Sequence, residues 1–269
     1  MFIEAVDPAK CILCGKCIDV CGPDIFQRVI RPPIEPTGEK TEPREYIIRD
    51  PDYLGCIACG HCVAICPTNA IEYSNADFPY EAPEVVNPTI ISYSTVYNLL
   101  RARRSTRKYK PTPLERTEIE AVLEAMRYAP SASNQQAWQY VVLTDPAEIA
   151  GISDVVVGKM RFALKLLSNS LVQKVFLFGQ LRKAVQDPGY LRAGWRIIHK
   201  AEAGEDPILF QSPCVIILHS PKYGNLGGND AGIAFTYGML AAQARGLGTC
   251  WIGFAQEVFQ RFPKYRRQL

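Results

Sequence analysis

Eight cysteines constrain this chain more than any other feature: Cys11, Cys14, Cys17 and Cys21 recur as Cys56, Cys59, Cys62 and Cys66, each after an offset of 45 residues. Of the ten cysteines only Cys214 and Cys250 lie elsewhere, so the distribution reads as metal ligation rather than as a disulfide scaffold. The surroundings repeat as well. Each set follows a short apolar stretch (Phe2 to Val6; Tyr46 to Ile48) and leads into a helical turn or two (Lys16 to Val20; His61 to Ile65). A second apolar stretch then closes each half (Ile25 to Val29; Ala70 to Tyr73). Two β-loop-α-β halves with paired sheets predict one small α+β unit.

The spacing C-x2-C-x2-C-x3-C suits a 4Fe-4S cubane, because three closely spaced thiolates wrap one face and the fourth is displaced onto the following helix. It resembles the bacterial two-cluster ferredoxins, in which the fourth cysteine ligates the other cluster. That resemblance implies Cys11, Cys14, Cys17 and Cys66 around one cluster and Cys56, Cys59, Cys62 and Cys21 around a second. Structural zinc, which takes four ligands in two pairs and often histidine, fits the pattern less well. Pro67 follows Cys66 as the bacterial pattern expects, whereas Gly22 separates Cys21 from Pro23 and the segment 22–55 is long and polar. These departures bear on loop shape more than on ligation, and His61 reads as a surface group that shields a cluster. Ferredoxin modules move single electrons and do no substrate chemistry, so the rest of the chain must supply the reaction.

With 269 residues, 48% of them hydrophobic, the chain has material for one small and one larger domain. The expected division is a cluster domain over 1–75, a linker over 76–93 containing Pro79, Pro83 and Pro88, and a second domain over 94–269. The net charge of +3 hides an asymmetry: residues 1–80 carry −5 and the remainder +8. No basic stretch interleaves with aromatics on a nucleic-acid-binding pattern, so no nucleic-acid partner is expected. The N-terminus carries no secretion signal and no run reaches the roughly 18 apolar residues of a membrane span, so the expectation is a soluble cytoplasmic protein without a membrane partner.

Ser94 or Thr95 can cap an amphipathic helix from Val96 to about Arg103, and a second helix is expected from Leu114 to about Tyr128. Between them runs Arg103-Arg104-Ser105-Thr106-Arg107-Lys108-Tyr109. Alone, a basic run at a helix end is most often a solvated terminus that complements the helix dipole. Here it resembles the nitroreductase family of FMN flavoproteins, whose opening helix ends in a similar Arg-Arg-Ser-x-Arg signature. A flavin phosphate needs converging cations and hydroxyls, and guanidinium forks supply paired hydrogen bonds. Two further stretches carry the likeness. The run 129–138, Ala-Pro-Ser-Ala-Ser-Asn-Gln-Gln-Ala-Trp, is similar to the family's A-P-S-x-x-N-x-Q-P-W loop and leads into a strand over 139–144. Residues 228–232 open a helix from Ile233 to about Arg245, followed by Gly246-Leu247-Gly248-Thr249-Cys250-Trp251-Ile252-Gly253 as a strand.

The resemblance implies an α+β domain with a central mixed sheet and FMN contacts from Arg103, Arg104, Ser105, Arg107, Ser131, Asn134, Gln136, Trp251, Ile252 and Gly253. The last three would act mostly through backbone. It also implies a homodimer, flavin chemistry without a catalytic triad, and a small electron-poor acceptor such as a nitro compound or quinone. The electron donor is NAD(P)H or a reduced ferredoxin-type protein. A protein that relays electrons to a partner without substrate chemistry is the alternative, and reductive removal of a substituent or flavin processing are specialised reactions of divergent relatives. Residues 159–201 are helical, basic and aromatic, where family members vary and cover the substrate, with packing against the core an equally good reading of the aromatics, and Cys214 to Leu218 reads as a buried strand. Cys214 and Cys250 read as small buried hydrophobes. The family's further helix, core strand and basic tail have no counterpart before Leu269, so the resemblance implies a sheet lacking that strand or a chain shortened there.

Overall fold

Each half of the cysteine repeat folds as its pattern predicts. The computed structural model describes residues 2–34, 42–50, 55–74, 90–220 and 226–262. The chain divides into two units, Met1–Ser92 with Ser131–Gln136 and Tyr93–Pro130 with Ala137–Leu269. Residues 76–89 of the expected linker lie outside the described residues.

The first unit runs β1 (Phe2–Val6), α1 (Lys16–Asp19), β2 (Phe26–Arg31), β3 (Arg44–Arg49), α2 (His61–Ile65) and β4 (Ile71–Ser74). Pairing crosses between the halves. β1 runs antiparallel to β4, with Phe2 opposite Ser74 and Val6 opposite Ile71, while β2 runs antiparallel to β3. Ile3, Val6, Ile25, Phe26, Ile47, Ala70 and Ile71 form its core together with the buried Cys17 and Cys62. Burying each large aliphatic or aromatic side chain contributes about 1.5–3 kcal/mol, a modest total for so small a unit. The duplication extends to backbone angles. Left-handed conformations recur after 45 residues at Leu13 and Ala58 (φ 59° and 53°), Gly15 and Gly60 (78° and 74°), and Asp24 and Asn69 (56° and 51°).

The second unit contains α3 (Tyr93–Ala102), α4 (Arg116–Arg127), β5 (Gln139–Leu143), α5 (Pro146–Leu167), α6 (Ser170–Val175), α7 (Gly179–Gln186), α8 (Pro188–Glu202), β6 (Val215–His219), α9 (Gly227–Ala244) and α10 (Gly253–Arg261). Asp145 starts α5 by accepting from the N–H groups of Ala147 and Glu148 at 2.7 and 3.2 Å. One core gathers Ile149, Ile152, Val156 and Leu164 of α5 with Ile198 of α8 and Ile208. A second sets Val122 and Met126 of α4 against Ala234 and Ala242 of α9. Among the described residues the sheet is smaller than the expected central mixed sheet, with β5 and β6 antiparallel and a single parallel bridge between Ser105 and Thr249. The strand expected over 246–253 is reduced to that bridge. Gly246, at φ 76°, closes α9 while the N–H of Leu247 reaches back to the carbonyl of Ala242 at 2.8 Å, and Gly253 already opens α10. α9 begins at Gly227 rather than Ile233, its first turn carrying Asp230, whose charge suits a helix N-terminus.

Candidate functional site

The two thiol sets occupy distinct surroundings in the first unit. Cys17 is buried; burial pushes its thiol up, and the neighbouring Cys11 and Cys14 add to the rise. Cys62 is pushed up to about 12, first by burial and then by Cys59, Cys21 and Cys56. Cys21 of the first repeat therefore stands with the three thiols of the second. The same four cysteines line one hollow, with Ile3, Val20, Pro23 and Ile25 completing its apolar wall. At Cys66 burial also raises the thiol, but the N–H groups of Ala70, Thr68 and Ile71 and the Thr68 hydroxyl outweigh it and hold the group below its ordinary value. The Ala70 N–H lies 3.2 Å from the sulfur.

Among the described residues no three side chains of His, Cys, Asp or Glu gather closely enough to hold a single metal ion. Thiolates around a cubane are spread over a larger core. Thiols that burial keeps protonated suit such a group, because coordinated iron supplies the positive charge that makes a thiolate stable. The donor set fits an iron–sulfur cluster.

In the second unit two runs distant in sequence meet. Ser105 and Thr249 form the parallel bridge, and the Thr106 N–H donates to the carbonyl of Thr249 at 2.9 Å. The approach is close enough to require glycine at 248, since a Cβ there would stand 2.5 Å from Thr106 Oγ1. Arg103 is half-buried and Arg107 exposed, and among the described residues neither has an ion-pair partner. Arg104 instead turns its guanidinium onto the carbonyls of Arg101 and Arg103 at the end of α3. Tyr109, which the sequence reading did not single out, is raised to about 12 by burial and by the adjacent Cys250, with Arg107 opposing. Trp251 packs its ring 5.1 Å from Phe235 and donates from Nε1 to Gln256 at 3.2 Å. Ile252 packs against the α5–α8 core. Cys214 and Cys250 are half-buried.

The loop Ser131–Gln136 belongs to the first unit. Ser131 Oγ accepts from the Gln136 N–H at 2.9 Å, and Asn134 Nδ2 donates to the carbonyl of Ala58 at 2.8 Å. Ser133, Asn134 and Gln136 all have positive φ, at 51°, 52° and 44°. Such angles cost of order 1–3 kcal/mol each outside glycine and cluster where function demands them.

The sequence profile described as "Nitroreductase family" matches residues 100–265, well over half of the chain. The chain belongs to the nitroreductase family. A second profile, "4Fe-4S dicluster domain", matches residues 10–71 of the same chain. A 4-nitrobenzoate reductase of Pseudomonas putida is 30% identical over 180 residues, covering 61% of this chain and 73% of that protein. An NADH dehydrogenase of Thermus thermophilus is 39% identical over 57 residues, and there the chain spans 28% of the relative's length and 21% of its own. A crystallised FMN-bound nitroreductase of Desulfitobacterium hafniense superposes with a TM-score of 0.45 at 20% identity, covering 64% of this chain and 79% of that one. Among the described residues no helix is long and apolar enough to cross a membrane.

Proposed function

We propose that this nitroreductase is an FMN-dependent oxidoreductase that takes single electrons through two 4Fe-4S clusters and reduces a small electron-poor organic acceptor, a nitro compound or quinone, by two electrons. The observation that carries this reading is Cys21: a thiol of the first repeat stands with Cys56, Cys59 and Cys62 around one hollow, as an electron inlet with exchanged fourth ligands requires. Cys11, Cys14, Cys17 and Cys66 hold the other cluster. The cluster domain spans 1–75, the linker 76–93 and the flavin domain 94–269.

Bound FMN supplies the redox chemistry, passing between one-electron and two-electron partners. Arg103 and Arg107, without carboxylate partners among the described residues, bind its phosphate with the Ser105 hydroxyl, while Arg104 adds charge but spends its fork on carbonyls. Backbone N–H groups at Trp251, Ile252 and Gly253 would serve the bound ring as fixed donors, which favour its electron-rich form. Ser131, Asn134 and Gln136 are the loop contacts. Tethering the inlet to the flavin domain raises its effective concentration there. The external donor is NAD(P)H or a reduced ferredoxin-type protein, and the working state is a homodimer. α3 suits a twofold contact, since Tyr93, Val96, Tyr97 and Leu100 are all exposed.

Anaerobically purified protein is expected to contain about eight irons per chain and bound FMN, and to run at twice the chain mass in light scattering. Replacing Arg103 and Arg107 together by Ala should release the flavin while the iron stays. Zinc in place of iron, or undiminished flavin in the double variant, overturns the assignment. Mixing the reduced and oxidised protein with NADH, NADPH, reduced ferredoxin and a panel of nitro and quinone acceptors identifies donor and acceptor.

A further inference from the structure

The two cysteine loops use equivalent carbonyls differently. Leu13 and Ala58, 45 residues apart, each precede the second cysteine of their set and each adopt positive φ. In the first loop the carbonyl of Leu13 accepts from Arg28 Nη2 at 3.0 Å, and the same guanidinium pairs with Glu45 at 2.9 Å. The guanidinium also closes over Gly15, where an added Cβ would stand 2.8 Å from it. The residue 45 positions after Arg28 is Tyr73, which has no guanidinium to offer. In the second loop the carbonyl of Ala58 accepts instead from Asn134 Nδ2 at 2.8 Å, a residue 76 positions away.

From this broken symmetry we infer that Asn134 is a positioning residue of the iron–sulfur unit. It takes over at the second cysteine loop the task Arg28 performs at the first, and so fastens the loop Ser131–Gln136 to the cluster of Cys21, Cys56, Cys59 and Cys62. The inference rests on the cluster reading above. The side-chain amide carries both a donor and an acceptor, and its Nδ2 serves Ala58. Three strained backbone angles in the loop mean that it holds its shape only if anchored, and Ser131 anchors one end through the Gln136 N–H. Pro130 and Ala137, which flank the loop in the chain, belong to the second unit. With the groups bound, the clusters would supply single electrons, two of which with protons from solvent would reduce the flavin, and the external donor would restore the clusters; Asn134 would hold the loop Ser131–Gln136 against the second cysteine loop.

The consequences separate the two clusters. A donor removed from a carbonyl beside a cluster leaves more negative potential there, which disfavours the reduced cluster. Asn134→Ala is expected to lower the midpoint potential of one cluster signal in an anaerobic EPR titration and to leave the other in place. Arg28→Ala should lower the other. Asn134→Asp, which swaps the donor for a charged acceptor, should lower the same signal as Asn134→Ala and by more. Unchanged potentials in both Asn134 variants, or a shift in the signal that Arg28→Ala also moves, overturn the inference. Flavin loss with unshifted potentials overturns it too, since Asn134 would then be a flavin ligand alone. Absence of iron or FMN in the unaltered protein defeats the functional reading itself, so the two failures are distinct.

Discussion

Asp206 organises the turn after α8 by accepting four hydrogen bonds: from Ser153 Oγ at 2.6 Å and from the N–H groups of Ile208, Leu209 and Gln211 at 3.1, 2.9 and 2.9 Å. Burial raises this carboxyl, but the Ser153 hydroxyl and the three N–H groups outweigh it and hold the group below its ordinary value. A carboxylate depressed by folding contributes stability that is complete above the unfolded value near pH 4 and is lost as pH falls through the lower folded value. Asp206→Asn should therefore cost roughly 2 kcal/mol at neutral pH and flatten the acid limb of the stability curve below about pH 4. Urea titrations of both proteins across that range read the difference; parallel acid limbs would contradict it. Nothing in the sequence distinguishes Asp206 from other carboxylates, because its partners lie on a helix 53 residues earlier and in its own turn. The cysteine sets were legible for the opposite reason: their spacing is itself the geometry of the site. The Asn134–Ala58 bond had no local signature, though the offset of 45 maps Arg28 onto Tyr73, which carries no guanidinium.

At the scale of elements, glycines divide into those that a crossing needs and those that only weaken a helix. Gly238 lets α9 lie against α4, where an added Cβ would stand 2.7 Å from Met126 Cγ and 2.8 Å from its sulfur. Gly158 in α5 has nothing within 4 Å of such a Cβ. Gly238→Ala should destabilise by about 1–2 kcal/mol, because overpacking of roughly 1–3 kcal/mol exceeds the helix-propensity gain of up to about 1 kcal/mol. Gly158→Ala should stabilise by roughly 0.5–1 kcal/mol. Opposite shifts in thermal midpoint check the pair, and shifts of the same sign would refute the crossing argument. Helix α4, strand β5 and the first-unit strands and turns lay close to the expected positions, since apolar periodicity reports them directly. Residues 246–253 did not: a run of apolar and small residues reads as a strand, but Gly246 and Gly253 commit its two ends to closing one helix and opening the next.

The molecule as a whole joins a small unit, whose core is a short set of aliphatic side chains around cysteines, to a larger one with two helix-based cores. A unit of that size falls where metals supply much of the stability, whereas the larger unit has no such need. Calorimetry of the intact chain is expected to give two transitions, and stripping the iron with a chelator should abolish one while leaving the other within a few degrees. A single transition that disappears with the iron would mean that the units fold as one. The −5 and +8 charges of the two parts of the sequence were readable from composition, but the assignment of Ser131–Gln136 to the smaller unit was not, because segment membership depends on contacts made across the chain. The pairing of Phe2 with Ser74 also carries a consequence for synthesis. β1 leaves the ribosome before β4 and has to wait for it before it has this partner, so the module closes late, through one of its most non-local contacts, and the early chain spends that interval with apolar strand edges exposed to chaperones and to aggregation.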